Sequence, residues 1–137
     1  MNTKIFFIFL FLFFSVASIS KAQNSPVMYF CERYDTEKGE ININDRFHKG
    51  NITVMIKCDY EIGLKSVHIE FDKLDSAGYI FKFYKEFNFT INPSMKYVYF
   101  SQNDESDMSL NEPGFYRVLL LDDKDNIAAS AMVQIID

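Results

Sequence analysis

Apolar and polar residues alternate with a period of two along most of this chain, and no stretch carries apolar residues at helical spacing with caps at both ends. Ile52, Val54, Ile56 and Cys58 alternate with Thr53, Met55 and Lys57, and Val67, Ile69 and Phe71 alternate with His68, Glu70 and Asp72. The same rule places Phe81, Phe83, Phe87 and Phe89 on one face of a strand, with Lys82, Tyr84, Glu86 and Asn88 on the other. Segments 27–33, 52–58, 67–72, 79–89, 96–101, 115–121 and 127–136 read as strands. Polar segments join them, including a turn at Asp75-Ser76-Ala77-Gly78, a break at Asn92-Pro93 and an acidic loop at 102–111. With no crossover helix available, the expected fold is all-β, a seven-stranded antiparallel sandwich.

The first 22 residues stand outside that pattern. Lys4 precedes an unbroken apolar run over 5–14, and Ser20-Lys21-Ala22 places small residues at −3 and −1 of a cleavage point before Gln23. This is the arrangement of a secretory signal peptide. The run is about half the roughly 20 apolar residues that a spanning helix needs. The reading is therefore a signal peptide over 1–22 and one domain over 23–137, exported to the periplasm or the exterior, with no membrane attachment after cleavage.

Glu112-Pro113-Gly114-Phe115-Tyr116-Arg117-Val118 resembles the acidic-x-Gly-x-Tyr-x-Cys segment of immunoglobulin-like domains. The resemblance implies an immunoglobulin-like or fibronectin-like sandwich, with Gly114 at the strand entrance. Tyr116 would be buried, with its hydroxyl bonded back to the upstream chain as a tyrosine corner. Val118 stands where such domains carry their second Cys, and the chain has no Trp. The antibody-type core pin is absent.

Residues 23–137 hold 12 basic and 19 acidic side chains, a net of −7. That balance argues against nucleic acid and anionic membrane as partners. Cys31 and Cys58 are the only cysteines, and in an oxidising compartment they are expected to pair. Such a bridge would contribute about 3–4 kcal/mol in the chain-entropy model. His68 and Glu70 share a strand face but lack further zinc ligands. Asp104, Glu105 and Asp107, and Asp122, Asp123 and Asp125, read as turn chemistry rather than calcium loops. No hydrolase motif is present, so no catalytic residue, metal or cofactor is expected and a small secreted hydrolase is the weakest reading.

Two strands are apolar on both faces. If Tyr116 points inward, Phe115, Leu119 and Leu121 point outward, and Tyr97 and Tyr99 share one face of their own strand. Adjoining exposed apolar residues mark interaction sites. The sequence therefore predicts a binding or assembly module with a protein partner, or one that self-associates, through Phe115, Leu119, Leu121, Tyr84, Tyr97 and Tyr99. The alternative is a carbohydrate-binding domain that stacks Tyr84, Tyr97 and Tyr99 on sugar rings.

Overall fold

A computed structural model describes residues 25–137; the signal-peptide expectation for 1–22 lies outside the described residues. The strands are β1 Val27–Asp35, β2 Gly39–Ile43, β3 Arg46–His48, β4 Gly50–Asn51, β5 Thr53–Lys57, β6 Ser66–Leu74, β7 Phe81–Thr90, β8 Tyr97–Phe100, β9 Ser109–Leu110, β10 Gly114–Asp122 and β11 Ile127–Ile136. Among the described residues the count is eleven rather than the expected seven. The additional strands, β2, β3, β4 and β9, are two to five residues long and lie in segments too polar to show alternation.

One sheet has the order β2-β1-β5-β8, a second β3-β11-β10-β6-β7, and β4 pairs with β9. All pairings are antiparallel except β3 against β11. Consecutive strands β5 and β6 belong to opposite sheets, as do β7 and β8, and β8 and β10. This Greek-key exchange, with one sheet led by β1-β5-β8 and the other by β11-β10-β6-β7, is that of an immunoglobulin-like sandwich carrying an extra strand beside its third. Phe30, Val54, Ile56, Val98 and Phe100 of the first sheet pack against Ile69, Phe71, Val118, Leu120, Val133 and Ile135 of the second.

Tyr116 is fully buried in this core and its hydroxyl donates to the carbonyl of Glu112, four residues upstream, at 2.8 Å. That bond turns the incoming loop into β10 at a fixed angle. Gly114 precedes it with φ +146°, where a side chain would be strained and its Cβ would meet Lys73 Cε at 3.1 Å.

Two expectations are corrected. Cys31 and Cys58 are both free and buried. Cys31 pairs across the β1–β5 ladder with Thr53. Cys58 lies five residues beyond Thr53, about 17 Å along the strand direction at roughly 3.3 Å per residue. A bridge needs Cα atoms within about 7 Å. The antiparallel register therefore keeps the thiols at opposite ends of the ladder. Leu119 and Leu121, expected at the surface, are each only 7% exposed. Their outward parity is as expected, but β10 is the middle strand of five. Leu119 is flanked in register by Glu70 and Ser130, and Leu121 by His68 and Ile127. Neighbouring side chains cover both.

Tyr116→Phe removes one hydrogen bond and orphans a carbonyl, and should cost about 1–3 kcal/mol in urea unfolding. Leu119→Asp buries a charge beside Glu70 and should cost more than about 2 kcal/mol; a silent Leu119→Asp would show that this position is open to water. Burial raises the pKa of both thiols. Alkylation without reductant should therefore be slow in the native protein and label both Cys31 and Cys58 once it is denatured.

Candidate interaction surface

The β6–β7 ladder slips once. Phe71 pairs with Lys85 while the next residue, Asp72, pairs with Phe83, so Tyr84 is an extra residue in β7. A bulge of this kind inverts the facing of every residue beyond it. Phe87 and Phe89 point inward, Phe87 edge-on to Phe71 at 6.5 Å and Phe89 against Phe100 at 4.8 Å. Phe81 and Phe83 point outward. The expectation that these four phenylalanines share one face is thus corrected. Tyr84, expected at the surface, packs edge-on to the Tyr116 ring at 5.4 Å.

Lys85 shares the inward parity of Phe87 and Phe89. Its ammonium lies 5.5–5.9 Å from the ring centres of Phe71, Tyr84 and Phe87. It donates to the carbonyls of Asp107, at 2.6 Å, and Ser109. Burial lowers its pKa.

Across the outward side of the larger sheet, Met132, Arg117, Asp72 and Phe83 form one transverse row on β11, β10, β6 and β7. Arg117 Nη2 donates to Asp72 Oδ2 at 2.6 Å, and the guanidinium lies 4.9 Å from the centre of the Phe81 ring. Around this buried carboxylate, Phe83 is 65% exposed, Met132 52% and Phe115 45%. Ile80, in the turn entering β7, is also exposed. The other half of the face is acidic. Glu70 and Glu86 stand directly opposite one another across β6 and β7, a like-charge pair that destabilises locally. Burial, then Asp72 and Glu86, raise the pKa of Glu70. His68 turns from Glu70 to Asp125, at 3.3 Å. Phe115 is exposed on this face, which it shares with His68, Glu70 and Asp72 of β6. The outward turn of Phe81 and Phe83 was missed, because a bulge leaves no trace in a period-two pattern.

The tyrosines of the smaller sheet serve a different purpose. Tyr99, Met55 and Tyr29 are in register across β8, β5 and β1. Tyr34 is five residues beyond Tyr29, yet its ring stacks on Tyr99 at 4.3 Å and meets Tyr97 at 6.0 Å. The end of the β1–β2 hairpin therefore folds across the outward side of this sheet. Met55 and Cys31 are buried beneath it. Asp35 shapes the hairpin turn by accepting from the Glu37 and Lys38 amides at 2.9 Å. Tyr29 donates to Glu40 Oε1 at 2.6 Å. Hydrogen bonds from Tyr29 and then Tyr97 hold the Glu40 carboxyl down at about 2. Burial, and then this bond, push Tyr29 up to about 12. The Tyr34 ring thus covers part of Tyr97 and Tyr99, and Tyr99 remains 42% exposed.

The acidic turns act as turns. Asp122 Oδ1 accepts from the amides of Lys124 and Asn126 at 2.8 Å, and Asp107 Oδ1 from that of Ser109 at 3.0 Å. Among the described residues, no group of three or more His, Cys, Asp or Glu side chains could hold a metal ion.

No protein-family model and no curated protein matches the chain. Among solved structures, an immunoglobulin-like protein from Pseudomonas aeruginosa aligns over 84% of this chain and 99% of its own, at 8% identity and a TM-score of 0.47. Strand order and the tyrosine corner make this sandwich immunoglobulin-like.

Because the Glu40 pKa is depressed, its carboxylate adds stability that is complete above its ordinary value of 4.5 and is lost as pH falls through about 2. The urea midpoint should decline over that window, and Glu40→Gln should flatten the decline. An unchanged slope in the variant would locate the acid sensitivity elsewhere.

Proposed function

We propose that this chain is an exported, non-catalytic binding or assembly module whose larger sheet docks a partner protein through its outward face. The observation that carries this reading is the cluster of Phe83, Phe115 and Met132, 45–65% exposed around the Arg117–Asp72 pair on the larger sheet. Isolated exposed apolar residues carry no meaning, whereas a contiguous aromatic cluster on a scaffold is the anatomy of an interface centre. The adjacent Glu70–Glu86 pair sets the chemistry of the partner, namely an apolar ridge flanked by lysine or arginine. A second copy would bring Glu70 and Glu86 against their equivalents in a simple face-to-face pairing, which argues for a different chain. The signal-like character of residues 1–22 supports a site of action outside the cytoplasm.

Photo-crosslinkers placed at Phe83 and Met132 should join one discrete partner, in envelope extract, that a crosslinker at Lys38 on the opposite sheet does not reach. Phe83→Ser should abolish the adduct formed from position 132 while changing stability by less than about 0.5 kcal/mol, as expected at an exposed site. Equal crosslinking from positions 38, 83 and 132 would overturn the reading.

A further inference from the structure

A second region of the molecule has the opposite electrostatic character. Where β3 runs into β4, a cleft of about 760 Å³ opens between the ends of the β1–β2 hairpin and the last residues of β11. Its volume lies within the roughly 300–1,000 Å³ range of small-molecule sites. The chain as a whole is acidic, with 14 basic against 19 acidic side chains. The cleft is lined by Arg33, Arg46, His48 and Lys49 and by a single carboxylate, Glu32. Glu32 is engaged by Asn42 Nδ2 at 3.2 Å.

The cations are unequally satisfied. Lys49 holds the Asp137 carboxylate at 2.5 Å, and His48 Nδ1 lies 2.7 Å from the Asp137 carbonyl oxygen. Lys49 and His48 are therefore already engaged. Arg46 gives Nε to Gln134 Oε1 at 2.9 Å, which leaves both terminal nitrogens. The Arg33 guanidinium makes no hydrogen bond to any described residue; its field falls on Asp35. Guanidinium forks match carboxylate, sulfate and phosphate groups in two-point geometry.

Two further features narrow the ligand. Asn44 uses its Oδ1 on the amides of Asp45 and Arg46 and keeps its Nδ2 donors, and Asn51 has no side-chain hydrogen bond among the described residues. Amides that can both donate and accept suit hydroxyl groups. The one aromatic ring in the lining, Phe47, is buried, so the cleft offers no exposed ring on which a nucleobase could stack. From these residues we infer that the cleft binds a short acidic oligosaccharide, with its oxyanions on Arg33 and Arg46 and its hydroxyls on Asn44 and Asn51. The negative charge of the rest of the chain does not forbid this, because screening limits its reach to about 8–10 Å at physiological salt.

The test is a calorimetric and amide-NMR titration of the purified protein with tetragalacturonate and a heparin-derived tetrasaccharide, which distinguish carboxylate from sulfate. Cellotetraose, tetraglutamate and inorganic phosphate serve as the comparison ligands. At least one acidic saccharide should bind, shift the side-chain amides of Asn44 and Asn51, and weaken as salt is raised. The comparison ligands should bind at least tenfold more weakly. Arg33→Gln should reduce affinity at least fivefold at an unchanged melting temperature, and Arg46→Lys should weaken binding while keeping the charge. Binding of neither acidic saccharide, equal affinity for cellotetraose or tetraglutamate, or full affinity in Arg33→Gln would each overturn the inference.

Discussion

A single extra residue in β7 decides how the aromatic content of this protein is divided. Four phenylalanines are strung along one strand with matching parity, and a regular ladder would send all of them to the same side. The slip at Tyr84 sends two into the core and two into solvent, and gives the space between them to Lys85 and to the Tyr84 ring. The inner pair then fills the gap against Phe71 and Phe100. The outer pair forms the ledge on which Arg117 stacks while it neutralises Asp72. The outward surface, the seat of the loop before β10 and the packing around Tyr116 all follow from that one irregularity.

The same economy of placement shows in the charges. Acidic side chains outnumber basic ones, but they are not spread evenly. Glu70 and Glu86 confront each other beside the aromatic ledge, whereas Arg33, Arg46 and Lys49 gather at the far end of the hairpin. Glu40 is bound by tyrosine hydroxyls under the folded-over hairpin and serves packing rather than recognition. The two regions meet at Arg46, which also lines a small pocket with Phe115 and Met132.

Much of the architecture was legible from local pattern, and the failures were all nonlocal. Alternation and apolar runs located β1, β5, β6, β7, β8, β10 and β11, whereas the short β2, β3, β4 and β9 escaped them. The Glu112–Tyr116 relation was legible because both partners lie within one short motif. The parallel pairing of Gln134, Ile135 and Ile136 with Arg46, Phe47 and His48 joins residues nearly ninety positions apart, and nothing in a three-residue strand announces it. Leu119 faced the way parity required, yet its burial was set by strands on either side. The cysteines looked like a pair by count, and only the register of β1 against β5 shows that they cannot meet. The basic cleft was invisible for a related reason, since net charge averages over surfaces that the fold separates.

Lys85 has one more consequence. β7 ends its sheet and is ten residues long, so its free side presents unpaired amide and carbonyl groups to whatever drifts alongside. A flat apolar strand in that position would be a template for another chain to add to, and so for aggregation. Here the strand is kinked at Tyr84. At its centre it carries an inward ammonium whose hydrogen bonds to the Asp107 and Ser109 carbonyls tie it to the loop that leads into β9. An incoming strand would have to dislodge that loop and strand a desolvated positive charge. The kink and the inward charge both work against edge-to-edge pairing along this strand.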